Sequence, residues 1–289
     1  MSWFTTGAVE EFLAEAGDFL RAEPARNTVI LSVTENLRVG KTGGVEPLLG
    51  WWRPGPAGDL GPIGGAFLHT PGFPVVLTSM TGEAVTGLAG ELAASGRRVS
   101  GLNAEAQAAE AFAGAWRRRT GDAATVHRLM RLYRLGTLVR PDPGPEGKPR
   151  VAGEQDRNLL IEWSGAFLGE VGDEAHDVAG AVDERLSYGG LTVWEVGGTA
   201  VSMAGITRIV HAMARVGSVY TPPELRGRGY AGGATVAVSQ AALDAGAAEV
   251  VLFTDLANPT SNALYERLGY RPVEDRTQLS FASPAPGAR

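Results

Sequence analysis

The chain has 289 residues, 26 Lys and Arg against 32 Asp and Glu, a formal net charge of −6, and 44% apolar residues. That balance suits one large or two ordinary core-forming domains and excludes a wholly disordered chain; the 40 glycines lack the three-residue period of a collagen-like rod. Cysteine is absent, which excludes disulfides, thiolate metal sites and cysteine nucleophiles and fits a reducing compartment.

At the start, Met1-Ser2-Trp3-Phe4 has no basic residue and Glu10 and Glu11 follow, unlike a targeting segment. No apolar run approaches the ~20 residues of a membrane span, so the chain reads as soluble and cytoplasmic, with no membrane partner. Helical spacing covers residues 9–22 and stops at Pro24, and residues 28–33 are apolar and β-branched. Residues 62–69 and 74–80 read as paired strands, residues 83–94 and 104–116 as helices, and residues 127–138 as a strand. Arg117-Arg118-Arg119 is the one basic cluster and reads as a solvated helix end; with an acidic chain, nucleic acid is not an expected partner.

Residues 140–150 hold four prolines and are expected to be a linker, since such a stretch builds neither helix nor central strand. The net charge is −1 up to Glu146 and −5 beyond it. Helices are expected over 153–169 and 178–186, strands over 191–196, 199–208 and 212–221 with Gly197-Gly198 as a hairpin turn, then a helix over 230–245, a strand over 250–253, a helix over 261–268 closed by Gly269, and a strand over 277–281. Residues 284–289 read as a frayed tail. Both halves thus give helix, antiparallel strands, helix, strand, suggesting two copies of one α+β unit. The four histidines are scattered, and Asp173-Glu174-Ala175-His176-Asp177 reads as a solvated acidic turn rather than a cation site, so no metal is expected.

The most informative segment is Val219-Tyr220-Thr221-Pro222-Pro223-Glu224-Leu225-Arg226-Gly227-Arg228-Gly229-Tyr230-Ala231-Gly232. A strand ends there, prolines stiffen the turn, and glycines lead into a helix whose unpaired N–H groups form an anion site; Arg226 and Arg228 add positive charge. The ligand should carry phosphate. The G-x-G-x-x-G spacing from Gly227 to Gly232 does not make a dinucleotide fold, because residues 222–226 separate it from the strand and the local strands are antiparallel.

Arg226-Gly227-Arg228-Gly229-Tyr230-Ala231 resembles the Arg/Gln-x-x-Gly-x-Gly/Ala signature of the GNAT superfamily of acyl-CoA-dependent N-acetyltransferases. Residues 258–270, from Asn258 through Tyr265 to Gly269-Tyr270, resemble that family's Asn-x-x-Ala-x-x-Leu-Tyr-x-x-x-Gly-Phe/Tyr element, with Ser261 in the Ala place. The resemblance is strong over residues 191–273 and implies acetyl-CoA as acyl donor. Backbone of Val219, Tyr220 and Thr221 would pair with the pantetheine arm beside a bulge, and residues 226–231, including Gly227, Gly229, Tyr230 and Ala231, would hold the pyrophosphate. An N–H near Tyr220 or Thr221 would polarise the thioester carbonyl, Asn258 would contact the arm, and Tyr265 would be the general acid.

For the base, Glu195, Asp255, Glu224 and His211 are the candidates, Glu195 being the one assigned, with water relay as an alternative. Nine acids lie between Glu154 and Glu184 against Arg157 alone; they read as a solubilising face in preference to a negative cleft for a cationic amine. The fold expected is α+β, two GNAT-like units in tandem, each a mixed, mostly antiparallel sheet flanked by helices. Residues 1–139 would be a degenerate unit without a cofactor site, since Met80-Thr81-Gly82-Glu83 has no arginine and an acid where phosphate would sit; residues 151–283 would be the acetyltransferase. The expected activity is direct transfer of acetyl from acetyl-CoA to a primary amine of a small molecule or peptide, without a metal. Alternatives are a non-catalytic acyl-CoA-binding protein and an acyltransferase for longer acyl groups. The sequence leaves the acceptor and the oligomeric state open.

Overall fold

A computed structural model describes residues 2–40, 46–55, 61–173 and 177–282. The tail expected at 284–289 lies outside the described residues, as do Glu174, Ala175 and His176 of the acidic turn. The described residues fall into two compact units, those of 2–132 with 255–257 and 273–282, and those of 133–254 with 258–272. In this grouping residues 140–150 belong to the second unit. Among the described residues no helix is long and apolar enough to cross a membrane.

In chain order the elements are β1 (Ser2–Thr6), α1 (Val9–Ala22), α2 (Thr28–Arg38), β2 (Leu48–Arg53), β3 (Gly65–His69), β4 (Val75–Leu77), α3 (Gly82–Ala94), β5 (Gly101–Glu105), α4 (Ala106–Thr120) and β6 (Ala123–Leu135). The same order then recurs: β7 (Lys148–Val151), α5 (Arg157–Val171), α6 (Val178–Leu186), β8 (Leu191–Val196), β9 (Thr199–Ile206), β10 (Met213–Tyr220), α7 (Tyr230–Asp244), β11 (Glu249–Asp255), α8 (Pro259–Arg267) and β12 (Tyr270–Ala282). The fold is α+β with mostly antiparallel pairing, as the sequence led us to expect.

Residues 28–33 are a helix, not the strand their β-branched side chains suggest. A buried stripe of Ile30, Leu31 and Thr34 overrides propensity, and the Ser32 and Thr34 hydroxyls donate back to the Thr28 and Ile30 carbonyls at 2.7 and 2.8 Å. The short strands β1, β2, β5 and β7 escaped the sequence reading.

In the first unit the strand order is β1-β2-β3-β4-β5-β12. Only β4 and β5 are parallel, and the end of β12, residues 276–280, pairs antiparallel with β5. Phe67, Val75, Leu88, Leu102, Phe112 and Leu279 form a buried core under α3 and α4. Arg276, 3% exposed, is held inside this unit. Its guanidinium donates to Glu274 at 2.6 Å, to the Asn103 side chain at 2.7 Å and carbonyl at 2.9 Å, and to the Leu77 carbonyl at 2.7 Å.

In the second unit the order is β6-β11-β10-β9-β8-β7. One face of the sheet packs Trp194, Ala204, Ala214 and Val216 against α7 together with Tyr265 and Tyr270; the other packs Leu191, Val193, Met203 and Tyr220 against Leu160, Trp163 and Val182 of α5 and α6. Small residues let α7 approach the sheet closely: a side chain on Gly233 would meet the Trp194 ring at 2.8 Å.

Candidate active site

The site is built where β10 changes partners. Its first half pairs parallel with β11, and the last registered pair is Val216 with Leu252. On its other side β10 stays paired with β9 through Tyr220 and Met203, with a shift in register between Gly217 and Tyr220. Ser218, in that bulge, sits in the left-handed region at φ 50°. The bulge changes which way β10 faces. Val216 points to the α7 side, whereas Tyr220, four residues on, joins the α5–α6 side and lies 6.1 Å from Trp163. Beyond Val216 the edge of residues 217–220 that faces β11 is thus left without a registered strand partner among the described residues.

A 3-10 turn at Pro223–Leu225 and two left-handed glycines, Gly227 at φ 78° and Gly229 at φ 81°, carry the chain into α7. Glycine is required at both, since a Cβ disfavours that region. Gly229 is the N-cap, no side chain caps the helix, and no acid lies in its first turn. The N–H groups of the first turn therefore point outward with the positive end of the helix dipole behind them. Gly227, Arg228 and Gly229 are exposed, while Tyr230 is buried against the core.

The two arginines of the segment differ. Arg226 donates from Nε to the Thr221 carbonyl at 2.9 Å and from Nη2 to Glu170 at 2.5 Å, so it braces the turn. Arg228 is exposed beside the helix entry. Thr221 is fixed in turn through its hydroxyl, 2.8 Å from Ser202 Oγ, which also donates to the Tyr220 carbonyl at 2.9 Å.

Tyr265 comes from α8 and is buried, and burial alone pushes its phenol up to about 12. Its ring meets that of Tyr270 edge-on at 6.1 Å, and the Tyr270 hydroxyl is 2.7 Å from Ser239 Oγ. Asn258 caps α8, its Oδ1 accepting from the Ser261 N–H at 3.0 Å.

Among the base candidates, Glu195 accepts from Arg150 Nε at 2.9 Å, and Arg150 also holds Asp156 through two bonds at 2.8 and 2.9 Å. That arrangement keeps the Asp156 carboxyl below its ordinary range, the Arg150 hydrogen bond being the main cause. Asp255 accepts from the Ala257 N–H at 2.7 Å, and Glu224 and His211 are exposed on turns. The structure thus brings Val219, Tyr220, Thr221 and residues 226–231 together around one strand end, and gives Glu195 an arginine partner. Besides Asp156, three of the nine early acids are paired: Glu170 with Arg226, Asp183 with Arg157 at 2.5 Å and Glu184 with Arg208 at 3.2 Å. No group of three metal-ligating side chains occurs among the described residues.

Residues 157–270 match the family model "Acetyltransferase (GNAT) family". This segment is a GNAT-family domain. Solved structures share the fold of nearly the whole chain. An acetyltransferase from the GNAT family from Colwellia psychrerythraea is 12% identical, covers 98% of this chain and 100% of its own, and has a TM-score of 0.60. A GCN5-related N-acetyltransferase from Sphaerobacter thermophilus is 14% identical over 98% of this chain and 96% of its own, with a TM-score of 0.63. A Drosophila protein is 12% identical over 98% and 99%, with a TM-score of 0.70. No curated protein matches the sequence.

Proposed function

We propose that the protein moves an acetyl group from acetyl-CoA to a primary amine by direct attack. One observation carries this reading: the parting of β10 from β11 after Val216, followed at once by the uncapped N-terminus of α7. The open edge of Val219, Tyr220 and Thr221 suits the amide-bearing pantetheine arm, and the first-turn N–H groups with Arg228 suit the pyrophosphate. Arg226 contributes by holding the turn in place.

The neutral amine attacks the thioester carbonyl carbon, whose oxygen is stabilised by a backbone N–H near Tyr220 or Thr221. The C–S bond breaks, the sulfur takes a proton from Tyr265, whose phenol is fully protonated at neutral pH, and Tyr265 regains that proton from water. The ammonium proton leaves to water, because Glu195 is committed to Arg150. Asn258 offers its Nδ2 to the arm while its Oδ1 caps α8. We further read residues 151–283 as the catalytic unit and residues 1–139 as a copy without an acyl-CoA site.

Thermal unfolding with acetyl-CoA, CoA, NAD and buffer tests the donor site, using wild type and Arg228→Glu. Ligand at ~100 times its Kd stabilises by about 2.7 kcal/mol, a shift of several degrees. A shift with both CoA species, absent with NAD and weakened in Arg228→Glu, is the expected result. No shift with either CoA species would sink the reading.

A further inference from the structure

On the α5–α6 side of the second unit lies a cluster of guanidinium groups that acetyl-CoA binding does not use. Arg185 of α6 is half-buried, and its Nη1 donates to the hydroxyl of Ser218, the bulge residue, at 3.2 Å. Arg208 lies over the Tyr188 ring, 4.1 Å from its centroid, and donates to Glu184 and to Ser187, each at 3.2 Å. Tyr188 is anchored by its own hydroxyl, which donates to the Ile206 carbonyl at 2.9 Å. Arg215 of β10 faces the same group; burial first, and the charge of Arg185 second, push its guanidinium down to about 10.

Arg185, Arg208 and Arg215 thus converge on one place, where Glu184 accepts from Arg208. Among the described residues Arg185 has no carboxylate partner. Like charges close together in a half-buried place repel, and an arriving anion relieves that repulsion. A guanidinium offers five N–H groups in a planar fork matched to carboxylate or phosphate oxygens. Ser218 immediately precedes Val219, so an anion on Arg185 would lie beside the strand end that receives the thioester.

We propose that the acceptor amine carries an anionic group, a carboxylate or a phosphate, which docks on Arg185 beside Ser218. This inference rests on the acetyl-transfer reading above and names its acceptor class. Of the nine acids in residues 154–184, Asp156, Asp183, Glu184 and Glu170 are paired, with Arg150, Arg157, Arg208 and Arg226.

The test is a matched acceptor panel with acetyl-CoA: L-amino acids against their L-amino acid amides, and O-phosphoethanolamine against ethanolamine. Wild type, Arg185→Gln and Arg185→Lys are compared, with CoA-induced thermal shifts recorded for each. The expected kcat/KM of one anionic series exceeds that of its neutral partners by about tenfold or more, as a charge-assisted contact supplies. The ratio falls to within roughly twofold in Arg185→Gln and is partly restored in Arg185→Lys, which keeps charge but loses the fork. The CoA shift stays unchanged in both. The series that responds tells carboxylate from phosphate. The proposal is overturned if CoA binds yet no anionic amine is acetylated, if neutral amines do as well, or if the preference survives Arg185→Gln. A wild type that fails to bind CoA overturns instead the reading beneath it.

Discussion

The two units place a strand and then a helix at the same point in their element order, β4 then α3 and β10 then α7, and treat that point in opposite ways. At the entry to α3 the Thr81 hydroxyl accepts from the Ala84 N–H at 3.4 Å, and Glu83 supplies a negative charge in the first turn. The Leu77 carbonyl is bound by Arg276, and the Thr78 hydroxyl accepts from the Ala66 N–H at 2.9 Å. At the entry to α7 a glycine stands at the cap, acids are absent from the first turn, and the strand edge leaves its neighbour early. In one unit the backbone's hydrogen-bonding capacity is consumed by the chain itself; in the other it is left open, as the proposed pyrophosphate site requires. That proposed site would be made by withholding caps as much as by adding arginines.

The largest expected effect concerns a side chain present in α8 and missing from α4, whose buried aromatics are Phe112 and Trp116. Tyr265→Phe should lower kcat by about 10²–10⁴-fold, the range of a lost general acid, with the CoA-induced thermal shift retained. Steady-state kinetics beside thermal unfolding checks this, and wild-type turnover in the variant would remove Tyr265 from the mechanism. Next comes the plug of the first unit. Arg276→Ala leaves the Leu77 and Asn103 carbonyls and a buried Glu274 short of a donor, although Arg26 still reaches Glu274 at 2.8 Å. A loss of roughly 3 kcal/mol is expected, the low end for a broken buried pair, read as a lower urea midpoint. Calorimetric titration should still count one CoA per chain, because Thr81 and Glu83 remain. An unchanged midpoint would show that Arg276 holds nothing together.

Much of this contrast was legible before any coordinates. The glycines and arginines of residues 226–229 stand together in the sequence, as do Asn258, Tyr265 and Gly269, because each set lies on one local turn or helix. The bulge at Gly217 could be anticipated from a glycine inside a strand. What escaped was non-local. Arg276 reaches Leu77 across 199 positions of sequence, and no local pattern announces it. The helix over residues 28–33 was not legible because β-branched propensity ignores the core that buries Ile30 and Leu31. The Arg150 partner of Glu195 was not legible because Arg150 lies in a proline-rich stretch read as linker. Two of the arginines that pair with the acidic run, Arg208 and Arg226, lie outside it in later elements.

A smaller effect comes from making α7 resemble α3. Ala231→Glu puts an acid into the first turn of α7, as Glu83 does in α3. The free protein should gain about 0.3–1 kcal/mol from the helix dipole. Acetyl-CoA should bind about tenfold more weakly, since the carboxylate faces the pyrophosphate. The two changes have opposite signs, which separates loss of a site from loss of a fold. Equal affinity in the variant would move the pyrophosphate away from this helix.

The smallest effect is a pH dependence confined to the first unit. His69 of β3 is 2% exposed, and neither ring nitrogen has a hydrogen-bond partner among the described residues. Burial, with a lesser contribution from Arg97, lowers its pKa below the ordinary value near 6.5. The unfolded chain therefore takes up a proton near pH 6.5 that the folded chain refuses. Above that pH both states are neutral and His69 has no effect; as the pH falls toward 5 stability declines, by at most about 1.4 kcal/mol per pH unit for one proton. His211, exposed on a turn of the second unit, has no comparable burial. Melting temperatures of wild type and His69→Leu between pH 7.5 and 5 should diverge as the solution is acidified, with the variant flatter. Parallel curves would mean that the folded protein accommodates the imidazolium, and that the missing partners of His69 carry no energetic weight.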